Sequence, residues 1–126
     1  MIAAVEAAIA EIRDTFPGHQ VDVTAVGDGG AHVMVHGLPL PDRYTQGTTW
    51  VAFTIVFQYP YADVYPHFID AAVQRKDGQP LGDGFSAGNW QGQACTQISR
   101  RSNRHDAEVD TAAMKLAKVL EWVQSL

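Results

Sequence analysis

Cys95 is the only cysteine in a chain of 126 residues, and its side chain is the one best suited to covalent chemistry. A thiolate attacks acyl groups, and the thioester it forms is activated for transfer to an amine. Cys95 closes a stretch that begins at Phe53, FTIVFQYPYADVYPHFIDAAVQRKDGQPLGDGFSAGNWQGQAC. His105 follows ten residues later and is placed to tune the thiol or take a proton. With His105 or His67 as base, Cys95 would make a small cysteine hydrolase, although no third residue stands out to orient the base. Against these readings, a single cysteine is also a common small core residue, and His105 is equally a surface residue near a helix start. Between Arg75 and Gln93 lie five glycines and one proline, and a loop of that length inside a compact domain usually serves function. That loop favours the nucleophile.

The elements that must position Cys95 follow from periodicity. Val5, Ile9, Ile12 and Phe16 share one face of a helix over about residues 2 to 16, which Pro17-Gly18 stops. Val21, Val23 and Ala25, then Val33 and Val35, alternate with polar residues around Gly27-Asp28-Gly29-Gly30, the pattern of a hairpin. Gly37 to Pro41 ends its second strand, because proline cannot donate to a ladder. His32 and His36 share a face of that strand and read as solvent-facing rather than as metal ligands. Residues 50 to 57, WVAFTIVF, suit a central strand covered on both faces. Tyr59-Pro60-Tyr61 and Tyr65-Pro66 predict a rigid extended loop, and Phe68 to Val73 a fourth strand. Val109, Ala113, Leu116, Leu120 and Val123 set a C-terminal helix over about 107 to 125, with Lys115 and Lys118 off its stripe and Asn103 or Asp106 as its cap. The expectation is an α+β fold: an N-terminal helix, a four-stranded antiparallel meander, a long loop with the cysteine, and a C-terminal helix, in one domain over residues 1–126.

Composition narrows the classes. The net charge of −5 argues against a general binder of nucleic acid or anionic membrane, which needs a basic surface. Arg100, Arg101 and Arg104 form a local exception, either a solvated loop or a contact for an acidic partner. One cysteine allows no internal disulfide and no cysteine-rich zinc site, so neither metal nor cofactor is expected. No apolar run approaches the roughly 18 residues of a membrane span, and the acidic, amphipathic start is not a signal peptide. A cytoplasmic protein with a reduced thiol is the simplest expectation.

The order helix, meander, Tyr-Pro loop, cysteine, helix resembles the ubiquitin-conjugating enzyme (UBC) fold, and the likeness runs over nearly the whole chain. Tyr59-Pro60-Tyr61 followed by Phe68 resembles the family's Tyr-Pro-x-x-Pro-Pro-x-x-x-Phe at the same length, with Asp63 and Val64 in place of the second and third prolines. Gly92-Gln93-Ala94-Cys95 resembles the Gly-x-x-Cys that delivers the family's catalytic cysteine. Where the family carries His-Pro-Asn before that cysteine, this chain reads Phe85-Ser86-Ala87. Only one helix follows Cys95 where the family normally has more, as in the divergent bacterial members found in antiviral defence operons.

The resemblance implies a transferase. Cys95 would be the nucleophile that carries a ubiquitin-like modifier, or the C-terminus of a target such as a cyclase, as a thioester and passes it to an amine. Asn89 would be the oxyanion stabiliser in place of the missing asparagine, and His105 a base. Tyr59, Pro60, Tyr61, Arg100 and Arg101 would contact partners, which the resemblance gives as an adenylating activating enzyme and the modifier or cyclase. The alternative within the same family is an inactive binding module that holds a modifier or partner without bonding to it.

Overall fold

The computed structural model describes residues 1–126. Helix α1 spans Ala3–Thr15 and buries Val5, Ala8, Ile9 and Ile12, the face set by the i, i+4, i+7 spacing. Gly18, at φ 81°, takes the left-handed turn that follows. Six strands come next: β1 (Val21–Ala25), β2 (Ala31–Pro39), β3 (Thr48–Ile55), β4 (His67–Asp70), β5 (Phe85–Trp90) and β6 (Gln93–Ile98). Helix α2 (Ala112–Ser125) closes the order. The strands form one antiparallel sheet in the order β1-β2-β3-β4-β6-β5. The helix, antiparallel sheet and helix of the α+β expectation are all present. No helix is long and apolar enough to cross a membrane.

The sheet has six strands where the sequence pattern suggested four. The first part of the glycine-rich stretch, with Gly78, Gly82 and Gly84, is a loop between β4 and β5, but the part that leads into Cys95 is a hairpin rather than a loop that hands over a cysteine. Its turn is Gln91-Gly92, both at positive φ (47° and 84°), the backbone that a two-residue hairpin needs to match strand twist. Trp90 and Gln93 close the ladder, and Gly88 and Cys95 stand opposite each other within it. Phe85–Trp90 reads FSAGNW, with too few apolar residues to alternate, which hid the strand.

Smaller boundaries also moved. β2 runs on through Pro39 because a register shift between Val35 and Leu38, with Gly37 at φ 70°, re-aims the chain and leaves Pro39 at the end of the ladder. β4 stops at Asp70, whose carboxylate accepts from the Ala72 amide at 2.9 Å and turns the chain. α2 begins at Ala112 because Thr111 is its cap, its hydroxyl accepting from the Met114 amide at 3.2 Å. Val109 therefore lies outside the helix and is exposed.

Alternate residues of a strand face opposite sides of a sheet. Val33, Val35, Phe53, Ile55, Ile69 and Ile98 face the two helices and pack with Ile9, Ile12, Leu116 and Val123 in the main core. The helices are tied to each other where the Thr111 hydroxyl donates to Glu11 at 2.7 Å. Ala52, Trp90 and Cys95 form a separate buried cluster on the other face, flanked by Met34, Trp50 and Phe68. The hairpin tip reaches inward across this second face. Trp90, on the edge strand, meets Phe68 of β4 at a ring separation of 5.3 Å and His32 of β2 at 5.2 Å.

Candidate functional site

Cys95 lies in the middle of β6, paired with Asp70 on one side and Gly88 on the other. Its side chain points away from the helices into the aromatic cluster and is 4% exposed. Trp90 and Ala52 pack with it, and Met34, Trp50 and Phe68 surround the three. A Cβ at Gly88 would stand 3.5 Å from the sulfur and 3.0 Å from Gln97 Cβ, so the glycine gives Cys95 its room. Burial pushes the thiol above its ordinary value, with no neighbouring charge contributing. A nucleophilic cysteine normally has a cation, a histidine or a helix N-terminus beside it to hold the thiolate.

The two groups expected beside Cys95 are engaged elsewhere. Asn89 precedes the turn by two residues and, being one residue from Gly88, projects to the opposite side of the strand from Cys95. Its carboxamide oxygen accepts from the Gly92 amide at 2.9 Å and so fastens the hairpin turn. His105 sits before α2, where Nε2 donates to the Pro60 carbonyl at 2.6 Å. Its Nδ1 stands 3.8 Å from Asp63 and 4.0 Å from Asp110. His67 lies on the helix-facing side of β4, against the Phe53 ring, with the sheet between it and Cys95. Neither His67 nitrogen has a partner, and burial first, then the Lys115 charge, lowers its pKa to about 3, so the ring is neutral.

The residues expected to meet partners gather instead around the start of α2. Tyr59 is buried and its hydroxyl accepts from the Ala112 amide at 3.1 Å, satisfying one of the free donors of the first turn. The Tyr59-Pro60 and Tyr65-Pro66 bonds are both cis. Pro60 is half-buried, and Tyr61, 82% exposed, is the most open of Tyr59, Pro60 and Tyr61. Arg101 lies over the Tyr65 ring at 4.6 Å and Arg100 over Trp122 at 4.7 Å.

Under these residues sits a network that the sequence reading missed. Lys115 is buried, and its ammonium donates to Asp63 at 3.0 Å and to the Ser102 hydroxyl at 2.8 Å. Asp63 also accepts from the Ser102 amide at 2.8 Å and its hydroxyl at 3.0 Å. Burial pushes Asp63 upward, but the Ser102 and Lys115 hydrogen bonds outweigh it and hold the carboxyl below the usual range. The signal was present. Lys115 precedes Val119 and Val123 by four and eight residues, so it belongs to the buried stripe rather than beside it. Next to the network a cavity of about 450 Å3 opens between the loop and α2, lined by Arg100, Arg104, Lys115, Lys118, Asp110 and Trp122 among others.

The class these observations define is an α+β protein with both helices on one face of an antiparallel sheet, a shielded thiol on the other, and a polar, cation-rich surface at the start of the second helix. No family model, curated protein or solved structure matches the chain.

Proposed function

We propose that the chain is a ubiquitin-conjugating enzyme-like module that holds a protein of a bacterial conjugation or defence system, a ubiquitin-like modifier or its target, without bonding to it. The observation that carries this reading is the contrast in access. The Cys95 sulfur is shielded in the Trp90 cluster with nothing to ionise it, whereas Tyr61, on the β3–β4 loop, and Arg100 and Arg101, on the β6–α2 loop, stand exposed. The helix–antiparallel sheet–helix order and the Tyr59-Pro60 segment support the likeness to that fold.

A second reading keeps Cys95 as an acyl carrier. One feature favours it: Trp90, packed with Cys95, sits at a hairpin tip, and Gly88 leaves the flank of the sulfur without a side chain. Displacing Trp90 would free a thiolate to take the modifier's C-terminal acyl group from an activating enzyme and pass it to an acceptor amine. The adenylating enzyme and modifier would be those of the same gene neighbourhood, and the site cytoplasmic.

Titration calorimetry with that modifier, followed by incubation with the activating enzyme and ATP, separates the two. The module reading expects a complex of unchanged affinity in Cys95→Ala and no reducible adduct. An adduct lost on adding thiol reductant and absent in Cys95→Ala would establish the carrier instead. Absence of both complex and adduct would remove both readings.

A further inference from the structure

The cavity beside α2 gathers cations in an acidic molecule. Arg100, Arg104, Lys115 and Lys118 line it against one carboxylate, Asp110, while the chain as a whole carries −5. Lys115 is spent on Asp63, and of the other three only Lys118 has a carboxylate in reach. Arg100 and Arg104 have no ion-pair partner, and Lys118, 65% exposed, stands 3.9 Å from Asp110. Gathering like charges costs free energy through self-repulsion. The fold holds these in place all the same. Trp122 stacks on Phe85 at 5.1 Å and carries Arg100 over its ring at 4.7 Å. The Asp63–Ser102–Lys115 network fixes the loop between Arg100 and Arg104 to the helix that bears Lys118. A guanidinium stacked on an aromatic ring keeps its N–H edge free for a carboxylate.

We propose that this pocket docks an acidic segment of a partner protein, with aspartate or glutamate carboxylates bridging Arg100, Arg104 and Lys118. The partner's chemistry follows from charge complementarity. A long polyanion is repelled by the remainder of an acidic chain. A nucleotide base would need an aromatic face to stack on, and the Trp122 ring is taken up by Phe85 and Arg100. A short run of carboxylates needs neither. The inference rests on the binding-module reading and names what the module recognises.

The test uses a fluorescein-labelled peptide with four glutamates and its glutamine counterpart, read by fluorescence anisotropy with the full chain. The glutamate peptide binds, the glutamine peptide does not, and affinity falls as salt rises. The double variant Arg104→Ala/Lys118→Ala weakens binding by about tenfold or more. Both residues lie on the surface, and circular dichroism checks that the fold is kept. Lys118→Glu weakens it further, and Lys76→Ala, a surface cation elsewhere, leaves it unchanged. The proposal is overturned if the glutamate peptide does not bind or if Lys76→Ala costs as much as the double variant. It is also overturned if inorganic phosphate or ADP displaces the peptide at submillimolar concentration, which would make the pocket a small-anion site. A modifier that binds the wild type and Arg104→Ala/Lys118→Ala equally would overturn the acidic segment while leaving the module reading intact.

Discussion

Two ionisable side chains are buried on opposite faces of the same sheet region, and they are buried differently. Cys95 is enclosed by Ala52 and Trp90 with no charge or hydrogen bond to favour its ionised form, so burial simply suppresses the thiolate. Lys115 is as deeply enclosed, but a carboxylate and a hydroxyl meet its ammonium at 3.0 and 2.8 Å. The first arrangement makes a neutral packing residue. The second pins two loops to a helix and builds a shaped surface above them. Desolvation is common to both, and the partners decide whether the result is a quiet core position or an organised site.

The most damaging way to break this comparison is to remove the partner from the second site. Lys115→Ala leaves Asp63 and Ser102 without their cation in a partly buried setting, and the expected loss is about 3 kcal/mol of unfolding free energy by urea titration. Lys115→Met with Asp63→Leu removes both charges together and should recover most of that loss. If Lys115→Ala costs under about 0.5 kcal/mol, the network is a surface pair in effect and the contrast with Cys95 fails.

His67 sharpens the comparison, since it is a third buried ionisable group and has no partner at all. Its pKa is about 3 when folded and 6.5 when unfolded, so between those values the unfolded chain binds the proton and the folded chain does not. Stability therefore falls as pH drops, by roughly 1.4 kcal/mol per pH unit within that window. Asp63, held below its ordinary 3.8, adds its own loss only under about that pH. His67→Leu should flatten the slope between pH 6.5 and 4 and leave stability at pH 7 undiminished. A wild-type stability that is flat over that range would contradict the buried neutral imidazole.

Periodicity made the frame legible. The 3.6-residue stripe of Val5, Ile9 and Ile12 and the alternation of Val21 to Val35 encode burial directly. The β5–β6 hairpin was not legible, because Ser86, Ala87, Gly88 and Asn89 carry no apolar alternation and the turn depends on positive φ at Gln91, a residue type that does not announce it. That one omission turned a shielded strand position into an apparent delivery loop. The cluster at α2 is half legible: the arginine run marks Arg100 and Arg101, but their ordering by Trp122 and Tyr65 comes from residues far apart in the chain. Asp63, in place of a family proline, and Lys115, on an apolar stripe, are the polar substitutions that meet in space.

The thiol itself gives a milder test. Iodoacetamide should alkylate Cys95 about tenfold or more slowly than an unhindered thiol at pH 8, with the midpoint of the pH–rate profile above the ordinary 9.0. Trp90→Ala should raise the rate, whereas Trp50→Ala, also on that face, should raise it less. A wild-type rate equal to that of a free thiol would show that the face opens readily and would favour the carrier.

The smallest effect is expected at the clasp that holds Trp90 in place. Asn89 accepts from the Gly92 amide, and this bond secures a turn whose first residue, Gln91, sits at a φ that side chains seldom adopt. Asn89→Ala removes the acceptor from an exposed position, so the amide turns to water and the cost is about 0.5–1 kcal/mol. Asn89→Asp keeps an oxygen there and should restore most of it. The informative readout is the alkylation rate of Cys95. If Asn89 works only by securing the hairpin, the rate rises slightly in Asn89→Ala and returns in Asn89→Asp, in step with stability. If Asn89 instead stabilises an oxyanion during acyl transfer, Asn89→Ala would leave alkylation untouched and abolish any reducible adduct, and the two faces would then have to be joined in one site.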